Sequence, residues 1–127
     1  MNLSDYFEKV RGIGILATAD SDGKIDLAVY AKPYVIDETT IAFVMQERLT
    51  HQNLKSNPQA AYMFVEKGEG YAGKRLYLTK IREETNTSVV EMFRKKQPEI
   101  CASYDDSNKY LVHFQIDDIR PLVGDTT

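Results

Sequence analysis

Between Ile41 and Lys80 the chain alternates runs that want burial with runs that cannot be the interior of an element, and this leaves few folds open. Ile41-Ala42-Phe43-Val44-Met45-Gln46 is an apolar, β-rich run, followed by a polar connector from Glu47 to Pro58. Gln59 to Lys67 is a second strand, Gly68-Glu69-Gly70-Tyr71-Ala72-Gly73 is too rich in glycine for regular structure, and Arg75 to Ile81 is a third strand. The connector is predicted to be helical near its middle, to start close to Arg48 or Thr50 and to stop at Asn57-Pro58. Its first turn carries Arg48 and Thr50, with no acid after Glu47. The N–H groups that open a helix have no intrahelical partner and sit at the positive end of its dipole, so this turn is predicted to seat a phosphate.

The flanking segments extend the β pattern. Leu3, Phe7 and Val10 share one helical face, which predicts a short lid helix over Leu3–Arg11 with Ser4 as N-cap and Gly12 as stop. Ile13 to Ala19 reads as a strand, and Asp20-Ser21-Asp22-Gly23-Lys24 as a tight hairpin turn with positive φ at Gly23. A second strand, from Ile25 to about Ile36, alternates Ile25, Leu27, Val29 and Ala31 against Asp26, Ala28, Tyr30 and Lys32; Pro33 requires it to lie at an edge or to bend. Thr85-Asn86-Thr87-Ser88 offers caps for a helix that runs to Lys96. Lys109 to Ile116 alternates as a strand, and Ile119 to Val123 is a last extended piece. Six or seven short strands with two or three small helices predict a mainly β fold, an antiparallel barrel with helices plugging its ends.

The 127 residues correspond to one domain, residues 1–127. Asp and Glu (19) outnumber Lys and Arg (16), which argues against a general nucleic-acid binder. No apolar run is long enough to cross a bilayer, and Met1-Asn2-Leu3-Ser4-Asp5 lacks the layout of a secretory signal, so a cytoplasmic location is expected. Cys101, the single cysteine, permits no internal disulfide and reads as a partly buried thiol.

No hydrolytic constellation is present: there is no G-x-S-x-G and no H-E-x-x-H, and the two histidines are far apart in sequence. His51, among polar neighbours, reads as a solvated surface residue; His113 reads as a core or interface histidine with one satisfied nitrogen. Of the eight tyrosines, Tyr30, Tyr34 and Tyr71 are the ones expected near a ligand. The residues assign no catalytic group and no metal.

Leu16-Ala17-Thr18-Ala19 with Asp22-Gly23, then Tyr30-Ala31-Lys32, Phe43-Val44-Met45, Arg48-Leu49-Thr50, Asn53-Leu54, Asn57-Pro58-Gln59-Ala60-Ala61 and Gly73-Lys74-Arg75-Leu76 together resemble the FMN-binding split barrel of the pyridoxamine 5'-phosphate oxidase superfamily. The resemblance implies a split β-barrel, a homodimer and FMN in a groove between the subunits. It implies that Lys32 reaches the phosphate or ribityl chain, that Tyr30 and Ala31 line the ring, and that Phe43, Val44 and Met45 pass the ring edge by their backbone. Arg48, Leu49 and Thr50 fall where the family carries a Ser-Arg-Lys-like triplet that grips phosphate, and Asn53 follows in the same helix. The bottom-up alternative for the triplet is a surface helix on which Arg48 pairs with Glu47 or Asp37.

The family's true pyridoxamine phosphate oxidases add a C-terminal extension with basic and histidine residues, and this chain ends Ile119-Arg120-Pro121-Leu122-Val123-Gly124 before its last three residues. Oxidation of pyridoxamine phosphate is therefore not expected. The resemblance implies instead a small FMN-dependent oxidoreductase that passes hydride or electrons to a small acceptor. A binding or sensing protein for a flavin, a deazaflavin or haem on the same barrel is the alternative, with His113 or His51 as the axial ligand in the haem case. An interaction protein with no small ligand is a third.

Overall fold

The computed structural model of the protein describes residues 2–85 and 109–124. The predicted helix after Thr85 and Cys101 lie outside the described residues. The elements are α1 (Leu3–Lys9), β1 (Gly12–Ala19), β2 (Ile25–Tyr30), β3 (Tyr34–Asp37), β4 (Thr40–Gln46), α2 (Leu49–Ser56), β5 (Gln59–Glu66), β6 (Gly73–Glu84) and β7 (Lys109–Pro121). The seven strands form one antiparallel sheet in the order β2-β1-β5-β6-β7-β4-β3.

The sheet curls around a core of alternate side chains, among them Leu16, Ile41, Phe43, Met45, Tyr62, Phe64, Leu76, Leu78, Val112 and Phe114. Each of the larger ones contributes about 1.5–3 kcal/mol by leaving water. Bulges between Tyr77 and Leu78 and between Lys80 and Arg82 bend the longest ladder, β6 against β7. They also let β7 run unbroken to Pro121, where a separate extended piece from Ile119 was expected. Asp117 and Asp118 are tolerated within it because both are exposed.

Helix α1 closes one end of the barrel, as expected of a lid. Phe7 and Tyr6 meet Phe64 edge-on at 5.3 and 5.9 Å, and the Tyr6 hydroxyl donates to Glu66 at 2.6 Å. Its cap is Asn2 and not Ser4: Asn2 Oδ1 accepts from the Asp5 N–H at 2.8 Å, the usual reach of an N-cap side chain. It ends at Lys9 with Val10 as C-cap, and Gly12 opens β1 opposite Glu66 instead of stopping the helix.

The turn after β1 is built as its residues require. Asp20 Oδ1 accepts from the Asp22 and Lys24 N–H groups, each at 2.9 Å, and Gly23 takes φ 84°. Beyond it the single strand expected from Ile25 to Ile36 is two. Pro33, which cannot donate to a ladder, lies in the break after Tyr30, and β2 and β3 go to opposite edges of the sheet. The barrel nevertheless closes on that side, because the Tyr30 ring reaches Phe43 of β4 at 5.7 Å.

Tyr62 secures the break. Its side chain is fully buried, and its hydroxyl donates toward the carbonyls of Ala31 (3.2 Å) and Tyr30 (3.4 Å), at the end of β2 and just beyond it. Burial pushes this phenol well above its ordinary value, so it remains a donor. The ring crosses the sheet over Gly14, where an added Cβ would stand 1.8 Å from the hydroxyl oxygen. Gly14→Ala should therefore lower stability by about 1–3 kcal/mol through overpacking, read from the midpoint of urea unfolding; an unchanged midpoint would mean that the ring does not cross there.

Candidate functional site

Helix α2 opens without a cap. Arg48 occupies the N-cap position with extended backbone (φ −133°, ψ −176°), and its side chain, which has no acceptor, makes no capping bond. The Gln52 N–H is satisfied by the Arg48 carbonyl at 3.0 Å, whereas the N–H groups of Leu49 and Thr50 have no helical acceptor before them. Arg48 pairs with neither Glu47 nor Asp37: its Nε donates to Gln46 Oε1 at 3.0 Å, and the rest of the exposed guanidinium has no partner among the described residues.

What holds this uncapped helix is contact along its sides. His51 is 1 % exposed, not solvated as expected, and its Nδ1 and Nε2 lie 3.1 Å from Glu47 and 3.1 Å from Glu83 of β6. Ionised carboxylates only accept, so a ring nitrogen bonded to either of them is the donor. The ring stacks on Tyr110 of β7 at 4.0 Å, and the Tyr110 hydroxyl donates to Glu47 at 3.2 Å. Sequence hid the partner because Glu83 is distant along the chain. On the opposite side Asn53 Nδ2 donates to Thr18 of β1 at 3.1 Å, and Leu54 enters the core.

With its flanks fixed, the first turn of α2 faces β2 across a groove of about 430 Å³, lined by β2 from Asp26 to Tyr30 and by Arg48, Leu49 and Thr50. Thr50 is 4 % exposed, and its hydroxyl has no hydrogen-bond partner among the described residues. Since β2 is a terminal strand of the sheet, one side of its backbone lacks a strand partner among the described residues. The hydroxyl of a largely buried threonine, N–H groups without a helical acceptor and a guanidinium on one wall fit an anionic oxygen cluster such as a phosphate.

The groove brings together Tyr30, Arg48, Leu49 and Thr50 of the residues expected at the cofactor. Ala31 and Lys32 follow in the break after β2; the Ala31 carbonyl is bound by Tyr62, and Lys32 has a partner of its own. The side chains of Phe43 and Met45 are in the barrel core, Val44 packs with Tyr34, Ala42 and Leu111, and Asn53 is committed to Thr18. Tyr34 is buried in that second cluster, and Tyr71 is exposed on the glycine-rich loop. The rest of the lining, Asp26, Leu27, Ala28 and Val29, was missed, and so were two residues that support it, Gln46 and Tyr62. Asp26 was within reach of sequence reasoning, because it stands two and four residues from Ala28 and Tyr30 and so shares their face of the strand.

Neither histidine presents a nitrogen that is both unpartnered and accessible. His113 is 3 % exposed, its Nε2 lies 3.1 Å from Glu84, and its buried Nδ1 has no partner among the described residues. Burial and the nearby Arg82 guanidinium push its pKa down against the pull of Glu84. The haem alternative therefore lacks an accessible axial imidazole.

No protein-family model matches the chain, and no curated protein does. Solved structures do match. An FMN-binding protein from Syntrophomonas wolfei subsp. wolfei superposes with a TM-score of 0.78 at 18 % identity, over 95 % of this chain and 84 % of that one. An F420 reductase gives 0.73 at 14 %, over 94 % and 97 %. A candidate pyridoxamine 5'-phosphate oxidase from Listeria innocua gives 0.67 at 14 %, over 93 % of each chain. This chain has their split-barrel fold. Within the split barrel described here, no helix among the described residues is long and apolar enough to cross a membrane.

The clamp on α2 titrates with a definite sign. Bonding to His51 lowers the Glu47 pKa; at Glu83 burial raises it, but hydrogen bonds from Lys80 and His51 prevail and the net shift is downward. Near and below the ordinary value of 4.5 the unfolded chain therefore binds more protons than the folded one. This stability is complete above that value and is lost as pH falls through the lower folded values. In urea unfolding across the acid range His51→Gln should show a shallower loss than the native chain; equal slopes would detach His51 from the clamp.

Proposed function

We propose that the chain is a small FMN-binding flavoprotein, an oxidoreductase that holds FMN in the groove between β2 and α2 and works as a cytoplasmic homodimer. The observation that carries the reading is the convergence of Arg48, the uncapped N–H groups and the unpartnered Thr50 hydroxyl on one cavity wall. The fold shared with an FMN-binding protein supports it.

The ring of a bound flavin supplies the hydride or electron transfer. The chain's part is to bind and orient. Arg48, the Leu49 and Thr50 N–H groups and the Thr50 hydroxyl would hold the phosphate, with Gln46 steering Arg48 through its Nε. Ala28 and Tyr30 would line the ring from one face of β2, and the edge of β2, which has no strand partner among the described residues, offers backbone donors and acceptors for its polar edge. The lining includes no acid–base pair, so proton transfer is assigned to no residue. That same lack favours a second reading, a flavin or deazaflavin carrier without turnover. A bound flavin that stays oxidised when NADH or NADPH is added without air would support the carrier over the oxidoreductase.

The dimer rests on an exposed apolar face. Ile25, Leu27 and Val29 are 76, 67 and 66 % exposed, and Ile13 and Met63 extend the face across β1 and β5. A second copy seated there would cover apolar surface large for a monomer and add a wall to the groove. Leu27→Glu should therefore convert the dimer to monomer in sedimentation velocity; a native chain that sediments as monomer would end the dimer.

Arg48→Ala should weaken FMN binding by about 1.5–3 kcal/mol, the usual loss for a hydrogen bond to a charged group, in a fluorescence titration. An unchanged dissociation constant would take Arg48 out of the site.

A further inference from the structure

The charges in the groove do not match those of a phosphate monoester. Its lining holds one cation, Arg48, and one carboxylate, Asp26, whereas a phosphate monoester carries about −1.5 to −2 at neutral pH. Asp26 lies opposite Thr18 in the ladder of β1 with β2, on the same strand face as Ala28 and Tyr30. Its carboxylate has no hydrogen-bond or ion-pair partner among the described residues, and Arg48 is tied to Gln46 and not to it. Neither charge is therefore neutralised by another charge among the described residues, and both residues line the groove.

We propose that Asp26 offsets Arg48 and that the groove holds FMN as an exchangeable ligand, not as a retained prosthetic group; this rests on the flavin reading above. Asp26 and Arg48 line the same groove, and charges act on one another over about 8 Å at physiological salt, so a phosphate held there would lose to Asp26 part of what it gains from Arg48. Neutral donors supply the remaining attraction: the Leu49 and Thr50 N–H groups and the Thr50 hydroxyl. Two properties follow. The phosphate adds little to affinity, and binding responds little to salt.

The test is a set of fluorescence titrations with FMN and with riboflavin, on the native chain and on Asp26→Asn, at low and high ionic strength. For the native chain the two flavins should bind within about threefold of each other, with little effect of salt, and bound FMN should be lost on desalting. In Asp26→Asn the preference for FMN over riboflavin should rise about five- to tenfold at low salt, the order of one screened charge interaction, and the gain should shrink as salt is added. A native chain that keeps FMN through desalting, or a variant in which the preference does not move, would overturn the proposal while leaving flavin binding in place. Failure of both flavins to bind the native chain would instead remove the flavin reading itself. Because Asn has the shape of Asp, a matching thermal melt confirms that the variant is folded.

Discussion

The contact on which the rest of the molecule depends is the passage of Tyr62 over Gly14 to the carbonyls of Tyr30 and Ala31. It joins three strands at the point where the sheet must split. Chain that leaves a ladder carries polar backbone groups into partly buried space, and each needs a new partner. Here one hydroxyl serves two carbonyls, and the glycine beneath it makes room. The Tyr30 ring can then turn inward to Phe43 and close the barrel while the strand edge beside it stays open. The opening that forms the groove and the closure that protects the core are two results of one side chain.

Helix α2 shows the opposite balance. A serine or asparagine in place of Arg48 would cap it, and the missing cap is a local cost of about 1 kcal/mol. The structure offsets this through the helix flanks, with His51 between two carboxylates on one side and Asn53 on Thr18 on the other. A helix held by its sides does not need its own N-terminus for stability, which leaves that end available for a ligand.

Much of this was legible from residue order. The antiparallel β pattern, the lid helix, the turn at Gly23 and a helix ended by Asn57-Pro58 each follow from short-range chemistry, and each is present. That Arg48, Leu49 and Thr50 stand at the start of a helix was legible, because a helix start can be recognised from a few adjacent residues. The parting of β2 from β3 was not, since the alternation runs on through Pro33 and only the sheet order sends the two halves to opposite edges. The burial of His51 depends on Glu83 and Tyr110, partners that no local pattern connects to it. The outward face of Ile25, Leu27 and Val29 was hidden for a related reason: alternation tells which residues share a face, not which face meets water.

The link between β5 and β6 has an engineering meaning. Its base is tied where the Glu66 N–H donates to the Ala72 carbonyl at 2.9 Å, while Gly68 and Gly70 turn with positive φ and Tyr71 projects 85 % into water. New termini could be opened between Lys67 and Tyr71, or a reporter domain inserted there, without cutting a strand ladder and on a different connection from the one that carries Arg48.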